Sequence, residues 1–259
     1  MQNVKVIILA GGLGARLSEE TAVKPKPLVE VGHMPILWHI MKLYSCYGFN
    51  DFIICCGYKG YLIKDFFANY YLHTSDITIE LSSGKVEVIN KKSEPWRVTL
   101  VDTGESTMTG GRLKRVEPYI DGEVFMATYG DGLSNINILE LLEFHKSHGK
   151  LATLSAVSPP GRFGALTIND NDSVEEFLEK PDGDGGLING GFFVFNKKFL
   201  RTIEGDESVL EQHPLNSLVE MNELKAYRHN GFWRPMDTLR DKVYLDQLWN
   251  AGDAPWKTW

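Results

Sequence analysis

The stretch VKVIILAGGLGARL, residues 4–17, joins a short apolar run to a glycine-rich loop. The run is apolar and β-branched, which predicts a strand buried on both faces of a parallel sheet. Gly11, Gly12 and Gly14 follow this run directly. Because glycine has no Cβ, successive N–H groups in such a loop can approach an anion closely. The loop is therefore either a phosphate-binding loop or an ordinary tight turn.

The segments that follow alternate between helix and strand patterns. Residues 35–47 carry apolar side chains at three- and four-residue spacing, which is typical of an amphipathic helix. Residues 51–56, DFIICC, predict a second buried strand, and residues 60–72 predict a second amphipathic helix. This strand–helix–strand order implies parallel strands joined by right-handed crossovers.

The rest of the chain mixes hairpins with further strands and helices. Residues 77–91 alternate apolar and polar side chains about a Ser-Gly turn, and residues 164–168 and 174–180 form a second predicted hairpin. Further strands are predicted at 98–104, 123–132, 151–157 and 187–195, and further helices at 110–120, 136–149 and 238–250. We therefore predict one α/β domain over residues 1–259, with a mixed, mostly parallel sheet, helices on both faces and an added hairpin-rich region in the C-terminal half.

The composition excludes several classes of function. The chain has 259 residues and a formal net charge of −7, so it lacks the basic character of proteins that bind nucleic acid or anionic membranes. Cys46, Cys55 and Cys56 are too few and too irregularly spaced for a disulfide framework or a zinc site, and we expect the last two to be buried thiols in a reducing compartment. The N-terminal apolar run is far shorter than a membrane span, so a cytoplasmic protein is expected.

A dinucleotide fingerprint is the main alternative for the glycine loop, and it would indicate an NAD-dependent oxidoreductase. That fingerprint needs a third glycine and a long helix after it. Leu17 stands at the third glycine position, and Pro25 and Pro27 interrupt the segment where the helix would run. A proline inside a helix costs about 3 kcal/mol. The sequence therefore disfavours dinucleotide binding.

Two cations follow the glycine loop. Arg16 can form paired hydrogen bonds with phosphate oxygens, and Lys26 can add a point charge. The run KPKP, residues 24–27, is predicted to be stiff and extended, because proline restricts its own φ and the residue before it. These cations favour an anionic ligand, and solvated surface cations are the alternative.

Two aspartates are candidate metal ligands. Asp131 follows an apolar strand in the motif YGDG, at the sheet edge where α/β folds bind their ligands. Asp237 lies in FWRPMDT, residues 232–238. Carboxylates suit hard cations such as Mg²⁺. Taken singly, Asp131 could equally be a turn residue and Asp237 could equally be a helix N-cap.

Several longer motifs resemble the signature of the sugar-1-phosphate nucleotidyltransferases. They are LAGGLGARL (9–17), KPKPLVEVGHMPILWHIM (24–41), YGDG (129–132), EKP (179–181) and INGGFFVF (188–195). The resemblance covers essentially the whole chain. It implies a Rossmann-like nucleotide-binding fold, a need for Mg²⁺, and the formation of a nucleotide sugar with release of pyrophosphate.

Further motifs resemble the members of that family that use CTP and α-D-glucose 1-phosphate. They are DFIICCGYKG, LVDTGESTMTGGRLKR, FWRPMDTLRDKVYL and the terminal APWKTW. The resemblance therefore implies CTP and glucose 1-phosphate as substrates and Mg²⁺ as cofactor. The same chemistry with UTP or dTTP stays open, because the choice of base depends on a few hydrogen bonds to the ring edge.

The resemblance also implies roles for individual residues. Arg16 would bind the β- and γ-phosphates, and Lys26 would lie nearer the α-phosphate and the sugar phosphate. Asp131 and Asp237 would hold Mg²⁺, and Asp131 joins the two cations as the third catalytic residue. The other implied nucleotide-binding residues are Leu9, Ala10, Gly11, Gly12, Gly14, Thr107, Arg112 and Gly130. On its local pattern alone, Arg112 would be a solvated helix cation.

The implied sugar-phosphate half lies in the C-terminal part of the chain. Its residues are Gly164, Glu179, Lys180 and Asn189. Glu179 would accept hydrogen bonds from glucose hydroxyls, and Lys180 would contact the phosphate. The local alternative for these two residues is an exposed charge pair beside a proline turn.

Three further predictions concern the histidines, the C-terminal end of the sequence and the possibility of a non-catalytic protein. His145 and His148 lie three positions apart on a predicted helix without the partners that a zinc site needs, so we expect them on a solvated face. The aromatic end LWNAGDAPWKTW, residues 248–259, is expected to pack on this subunit or on a neighbour, which indicates a homo-oligomer. A non-catalytic regulatory subunit is disfavoured, because both implied cations and both implied metal ligands are present.

Overall fold

The protein's structure, a computed structural model, describes residues 4–90, 93–159, 165–168, 173–178 and 186–259. The strands, in chain order, are β1 (Val6–Ala10), β2 (Glu30–Val31), β3 (Met34–Pro35), β4 (Asp51–Cys56), β5 (Asp76–Glu80), β6 (Lys85–Ile89), β7 (Arg97–Asp102), β8 (Val124–Tyr129), β9 (Gly132–Ser134), β10 (Ala152–Val157), β11 (Ala165–Ile168), β12 (Val174–Leu178), β13 (Ile188–Asn196), β14 (Leu224–His229) and β15 (Trp233–Pro235). The α-helices are α1 (Ser18–Thr21), α2 (Ile36–Cys46), α3 (Gly60–Ala68), α4 (Tyr70–Thr74), α5 (Thr109–Arg115), α6 (Ile138–His148), α7 (His213–Glu220) and α8 (Leu239–Asn250). Short 3-10 helices cover Ala15–Leu17, Lys26–Leu28, Glu117–Tyr119 and Lys197–Thr202.

Seven strands form the central sheet, in the order β14–β10–β13–β8–β1–β4–β7. β1 pairs in parallel with β4 and with β8, and β4 pairs in parallel with β7. β13 is antiparallel to both β8 and β10, whereas β10 and β14 are parallel. The predicted mixed, mostly parallel sheet is therefore confirmed. All five residues of β1 are buried, as the apolar run predicted.

Helices cover both faces of this sheet. Ile8 packs into a cluster that includes Ile40 of α2 and residues of α6. Its neighbour Ile7 points to the other face, into a cluster that includes Leu113 of α5 and residues of α7. This alternation follows from the two-residue period of a strand. Within the described ranges, no helix combines the length and apolar character that crossing a membrane requires.

Four smaller strand pairs surround the sheet. β5 pairs with β6 and β11 pairs with β12, both antiparallel, so both predicted hairpins are confirmed. β2 pairs with β3 just before α2. β9 pairs with β15, and the N–H of Met236 donates to the carbonyl of Asp131 at 2.8 Å. This last pairing brings Asp131 and Asp237 to the same end of the sheet.

Three segments differ from the predictions. The helix predicted over residues 110–120 ends at Arg115, and a 3-10 helix follows at Glu117–Tyr119. The helix predicted over residues 60–72 is broken at Asn69, whose side-chain amide donates to the Asp65 carbonyl and carboxylate. A short polar side chain that competes for backbone hydrogen bonds explains the break. The KPKP run is extended at Pro25 (φ −65°, ψ 148°), but Lys26 already begins a 3-10 helix. The run is therefore extended over part of its predicted length.

The prediction that His145 lies on a solvated helix face is wrong. His145 is 3% exposed, and its Nδ1 lies 2.9 Å from the Thr153 hydroxyl. Nε2 of His148 lies 2.8 Å from the same hydroxyl, so both histidines tie α6 to β10. Burial lowers the pKa of His145 to about 4. Their role is to join a helix to the sheet.

The aromatic end of the chain packs on its own subunit. Trp256 is 1% exposed, and its indole N–H donates to Nδ1 of His39 at 3.4 Å. Its ring lies 5.5 Å from the ring of Phe232, centroid to centroid. Burial of Trp256 therefore needs no neighbouring chain, and the homo-oligomer stays a prediction. Cys55 and Cys56 are buried and unpaired, as predicted.

Candidate active site

The carboxyl ends of β1 and β8 open onto a cleft of about 630 Å³, called here the first cleft. The glycine loop forms one wall, and residues 105–109 form another. Every residue that the resemblance assigns to the nucleotide lies in these walls: Leu9, Ala10, Gly11, Gly12, Gly14, Arg16, Lys26, Thr107, Arg112 and Gly130. The structure thus brings together residues that are far apart in the chain.

The glycine loop makes a turn at Gly14 that disfavours any residue with a side chain at that position. Gly14 has a φ of 65° and a ψ of 31°, in the left-handed region that favours glycine. A Cβ at Gly14 would also lie 2.8 Å from Cγ2 of Thr21. The loop leads into a 3-10 turn and the four-residue α1. The long helix of a dinucleotide-binding fold therefore does not follow it, in agreement with the sequence.

Arg112 is buried in the wall of the first cleft, so the interpretation as a solvated helix cation is wrong. It is 4% exposed. Nη1 donates to the Gly104 carbonyl and the Thr103 hydroxyl, both at 2.7 Å, and Nη2 donates to the Gly11 carbonyl at 3.0 Å. A Cβ at Gly11 would overlap this guanidinium. Arg112 therefore ties the glycine loop to the opposite wall.

Lys26 joins the two candidate metal ligands. Its ammonium donates to Asp131 Oδ2 at 2.6 Å and to Asp237 Oδ1 at 2.8 Å. Lys26 is 8% exposed, and polar interactions are stronger away from water. Burial by itself lowers the pKa of Lys26, but the two carboxylates outweigh burial and raise that pKa above its ordinary value. The lysine is therefore held in its charged form.

Arg16 completes this charge cluster. Its Nη1 lies 2.9 Å from Asp237 Oδ2, and 70% of its side chain is exposed. The N-cap of α8 is Thr238, which forms a capping box with Asp241, so the N-cap interpretation of Asp237 is wrong. Asp131 lies in the short turn between β8 and β9 and also bonds to Lys26. For Asp131 the turn interpretation and the site interpretation are therefore compatible.

A second cleft of about 470 Å³ adjoins the first. Arg16, Tyr129 and Asp131 line both clefts, so the charge cluster stands at their junction. Asn189 of the implied sugar-phosphate set lies in the wall of the second cleft. The other members of that set, Gly164, Glu179 and Lys180, lie outside the described residues.

Comparison with known proteins decides the family. The profile of the Nucleotidyl transferase family matches residues 5–234. The chain belongs to this family. A relative from Salmonella typhimurium named glucose-1-phosphate cytidylyltransferase is 61% identical, over 99% of this chain and 100% of its own length. A mannose-1-phosphate guanyltransferase of Hypocrea jecorina is 31% identical, over 96% of this chain and 66% of its own length.

A solved structure supports the same fold. HddC from Yersinia pseudotuberculosis has a TM-score of 0.68 to this chain, with 24% sequence identity, and the match covers 95% of this chain and 99% of HddC. The Rossmann-like sheet of this nucleotidyltransferase, expected from the motifs, is therefore confirmed.

The sequence motifs assign no role to three polar residues near the junction. Tyr129 is the first residue of YGDG, and its position before Gly130 and Asp131 is the signal that could have identified it. Thr109 lies in the wall of the first cleft. Glu211 accepts hydrogen bonds from Tyr129 and from Thr109, which are 82 and 102 positions away. A contact between residues so far apart in the sequence leaves no local sequence pattern.

Proposed function

We propose that the protein transfers the cytidylyl group of CTP to the phosphate of α-D-glucose 1-phosphate and releases pyrophosphate. The observation that carries this proposal is the junction of two clefts at one charge cluster, in a chain 61% identical to a glucose-1-phosphate cytidylyltransferase. The first cleft would hold the nucleotide, and the second would hold the sugar phosphate. Their junction would then be the place where the two phosphates meet.

The cations at the junction suit this reaction. Both reactants are anions, so their approach costs Coulomb energy that nearby positive charge must offset. Lys26 would lie beside the α-phosphate, and the exposed Arg16 would bind the β- and γ-phosphates that leave. These two side chains stabilise charge where it develops, which is the main catalytic effect available in phosphoryl transfer.

The bond changes balance without a general base. An oxygen of glucose 1-phosphate attacks the α-phosphorus in line with the leaving group, and the bond from that phosphorus to the bridging β-phosphate oxygen breaks. Pyrophosphate takes the electron pair of the broken bond. A phosphate monoester loses its second proton with a pKa near 6, so the attacking group is ionised at pH 7.

Asp131 and Asp237 fit a Mg²⁺ site. Their carboxylates converge on a single ammonium, and Mg²⁺ usually takes one or two protein carboxylates together with water and substrate phosphates. Across the described part of the chain, His, Cys, Asp and Glu form no metal-binding group of three or more. When bound, Mg²⁺ would neutralise charge on the α-phosphate. Its two protein ligands would orient that phosphate toward Lys26.

The identity of the base is the finer part of the proposal. The Hypocrea jecorina relative is named for guanyl transfer, so family membership alone leaves the base undecided. Cytosine donates from its 4-amino group at the position where uracil accepts. The 61% identity with a cytidylyltransferase favours CTP, and UTP or dTTP with the same chemistry is the alternative.

Pyrophosphate release from CTP, UTP, dTTP, ATP and GTP tests the proposal, with glucose 1-phosphate and Mg²⁺, in the presence and absence of EDTA. We expect strong release with CTP alone, abolished by EDTA. Comparable release with UTP or dTTP would contradict the assignment of cytidine as the base but would leave the proposed mechanism unchanged. Pyrophosphate release that persists in EDTA would contradict the proposed need for Mg²⁺. Absence of pyrophosphate release with all five nucleotides would contradict the proposed substrates.

A further inference from the structure

A chain of hydrogen bonds crosses the boundary between the two clefts. The Asn189 side-chain amide donates to the Tyr129 hydroxyl at 3.2 Å, and that hydroxyl donates to Glu211 Oε1. The other carboxylate oxygen, Oε2, accepts from the Thr109 hydroxyl at 2.8 Å. Thr109 lies in the wall of the first cleft, Asn189 in that of the second, and Tyr129 in both. Glu211 is thus the centre of a connection between the two binding walls.

The ring of Tyr129 is fixed by packing. It lies against Gly191, which has a φ of 82° and where a Cβ would overlap the ring. It also contacts Phe193 edge-to-face, with 5.7 Å between ring centroids. A carboxylate oxygen can only accept, so the Tyr129 hydroxyl is the donor in its hydrogen bond to Glu211. The direction of that hydroxyl is therefore set by Glu211.

The two ends of this series of hydrogen bonds, Thr109 and Asn189, depend on Glu211 to different degrees. Thr109 has a second anchor, because its hydroxyl accepts from the Leu210 N–H at 2.9 Å. The Asn189 side-chain oxygen accepts from the Gly191 N–H at 2.9 Å, and its amide nitrogen is directed by Tyr129. Loss of the carboxylate would leave the Thr109 hydroxyl and the Asn189 side-chain oxygen anchored, but it would release the Tyr129 hydroxyl, which is the partner of the Asn189 amide nitrogen. The effect should therefore fall on the second cleft.

We propose that Glu211 is a positioning residue for the sugar phosphate, holding the Asn189 amide in its binding orientation through Tyr129. The inference rests on the proposed function, which places the sugar phosphate in the second cleft. Glu211 lies outside the walls of both clefts, in the loop between the 3-10 helix Lys197–Thr202 and α7. It acts on the reactants through Tyr129 and makes no contact of its own with them.

The test is steady-state kinetics with each substrate varied in turn. Glu211→Ala and Tyr129→Phe should each raise the KM for glucose 1-phosphate about tenfold, the size expected for the loss of one hydrogen bond. The KM for CTP and kcat should change by less than about twofold. Glu211→Gln can still accept from Tyr129 and donate to Thr109, so it should behave like the wild type. The double variant should be no worse than either single variant, because both remove the same interaction.

Controls separate this effect from a loss of structure. Glu220→Ala changes an exposed glutamate at the end of α7 and should leave both KM values unchanged. Because Glu211 is exposed, its loss should barely move the thermal unfolding midpoint. Should Glu211→Ala fail to fold, Tyr129→Phe removes a single oxygen and tests the same bond.

The outcomes distinguish the two proposals. Equal rises in both KM values, a fall in kcat alone, additive single effects or unchanged kinetics would overturn the role of Glu211 while CTP and glucose 1-phosphate remain the substrates. Absence of pyrophosphate release by the wild type would overturn the proposed function, and this inference with it.

Discussion

The ammonium of Lys26 bonds to Asp131, which lies 105 positions further along the chain. The same ammonium bonds to Asp237, 211 positions away, and Arg16 bonds to the second oxygen of that carboxylate. Three distant segments thus meet in one cluster with two positive and two negative side chains. This cluster is the element on which the proposed chemistry depends.

Lys26→Met should lower kcat/KM for pyrophosphate release by about two to three decades, the usual cost of removing one charged group that stabilises a transition state. Lys24→Met is the matched control, because Lys24 bonds to Glu30 on the surface at 2.9 Å. We expect Lys24→Met to retain nearly full activity in the same assay. Similar losses in the two variants would show that Lys26 has no special role.

Mg²⁺ without nucleotide should stabilise the Lys26→Met variant more than the wild type. In the wild type Lys26 and Arg16 together balance the charge of both carboxylates, so the metal must compete with the ammonium that lies between them. In the variant the two carboxylates repel each other, and a ligand that binds the folded state raises its stability. Thermal unfolding with and without MgCl₂ measures the stabilisation by Mg²⁺ in each protein. The additional stabilisation of Lys26→Met should vanish in the double variant Lys26→Met/Asp131→Asn. Equal Mg²⁺ shifts in wild type and Lys26→Met would refute the competition.

Arg112→Met should lower the free energy of unfolding by about 3 kcal/mol or more, because several buried acceptors would lose their donor. The control is Arg115→Met, which changes the last residue of α5, where Arg115 pairs with Asp206 in solvent at 2.6 Å. Exposed ion pairs contribute little, so this variant should unfold close to the wild-type midpoint. Denaturant unfolding of the wild type and the two variants measures these differences in the free energy of unfolding. A mild effect of Arg112→Met would mean that the cleft walls are held by other contacts.

Stability should fall between pH 6.5 and about 4, in part because of His39. Burial lowers the pKa of His39 from 6.5 to about 4, so in this range the unfolded chain binds a proton that the folded chain does not. The free energy of unfolding therefore falls as the pH falls, by up to about 1.4 kcal/mol per pH unit for one histidine. His145 acts in the same direction.

Urea unfolding at pH 7, 6 and 5 checks this expectation. His39→Asn should show a shallower dependence on pH than the wild type, and the remaining slope should include the contribution of His145. His33→Asn changes an exposed histidine and is the control. A slope that is unchanged in His39→Asn would rule out His39 as a source of the pH dependence.

The sequence by itself determined most of the elements around the glycine loop and named part of the candidate site. The buried β1 and both hairpins follow from short local patterns, because apolar period and turn residues act locally. The motifs also predicted that Lys26 and Asp131 belong to one site, and the structure places them 2.6 Å apart. Where a local pattern misled, as for Arg112, the deciding contacts came from other segments.

The tertiary structure alone decided which of these residues meet, and how. Arg112 is buried because the carbonyls of distant loops surround its guanidinium, and Lys26 bridges two carboxylates because β9 pairs with β15. Glu211 has no motif, and its link to Tyr129 exists because the loop before α7 folds back over the end of β8. Such contacts depend on the order and direction of strands in the sheet. That order is a property of the whole chain, so a short window of sequence does not contain it.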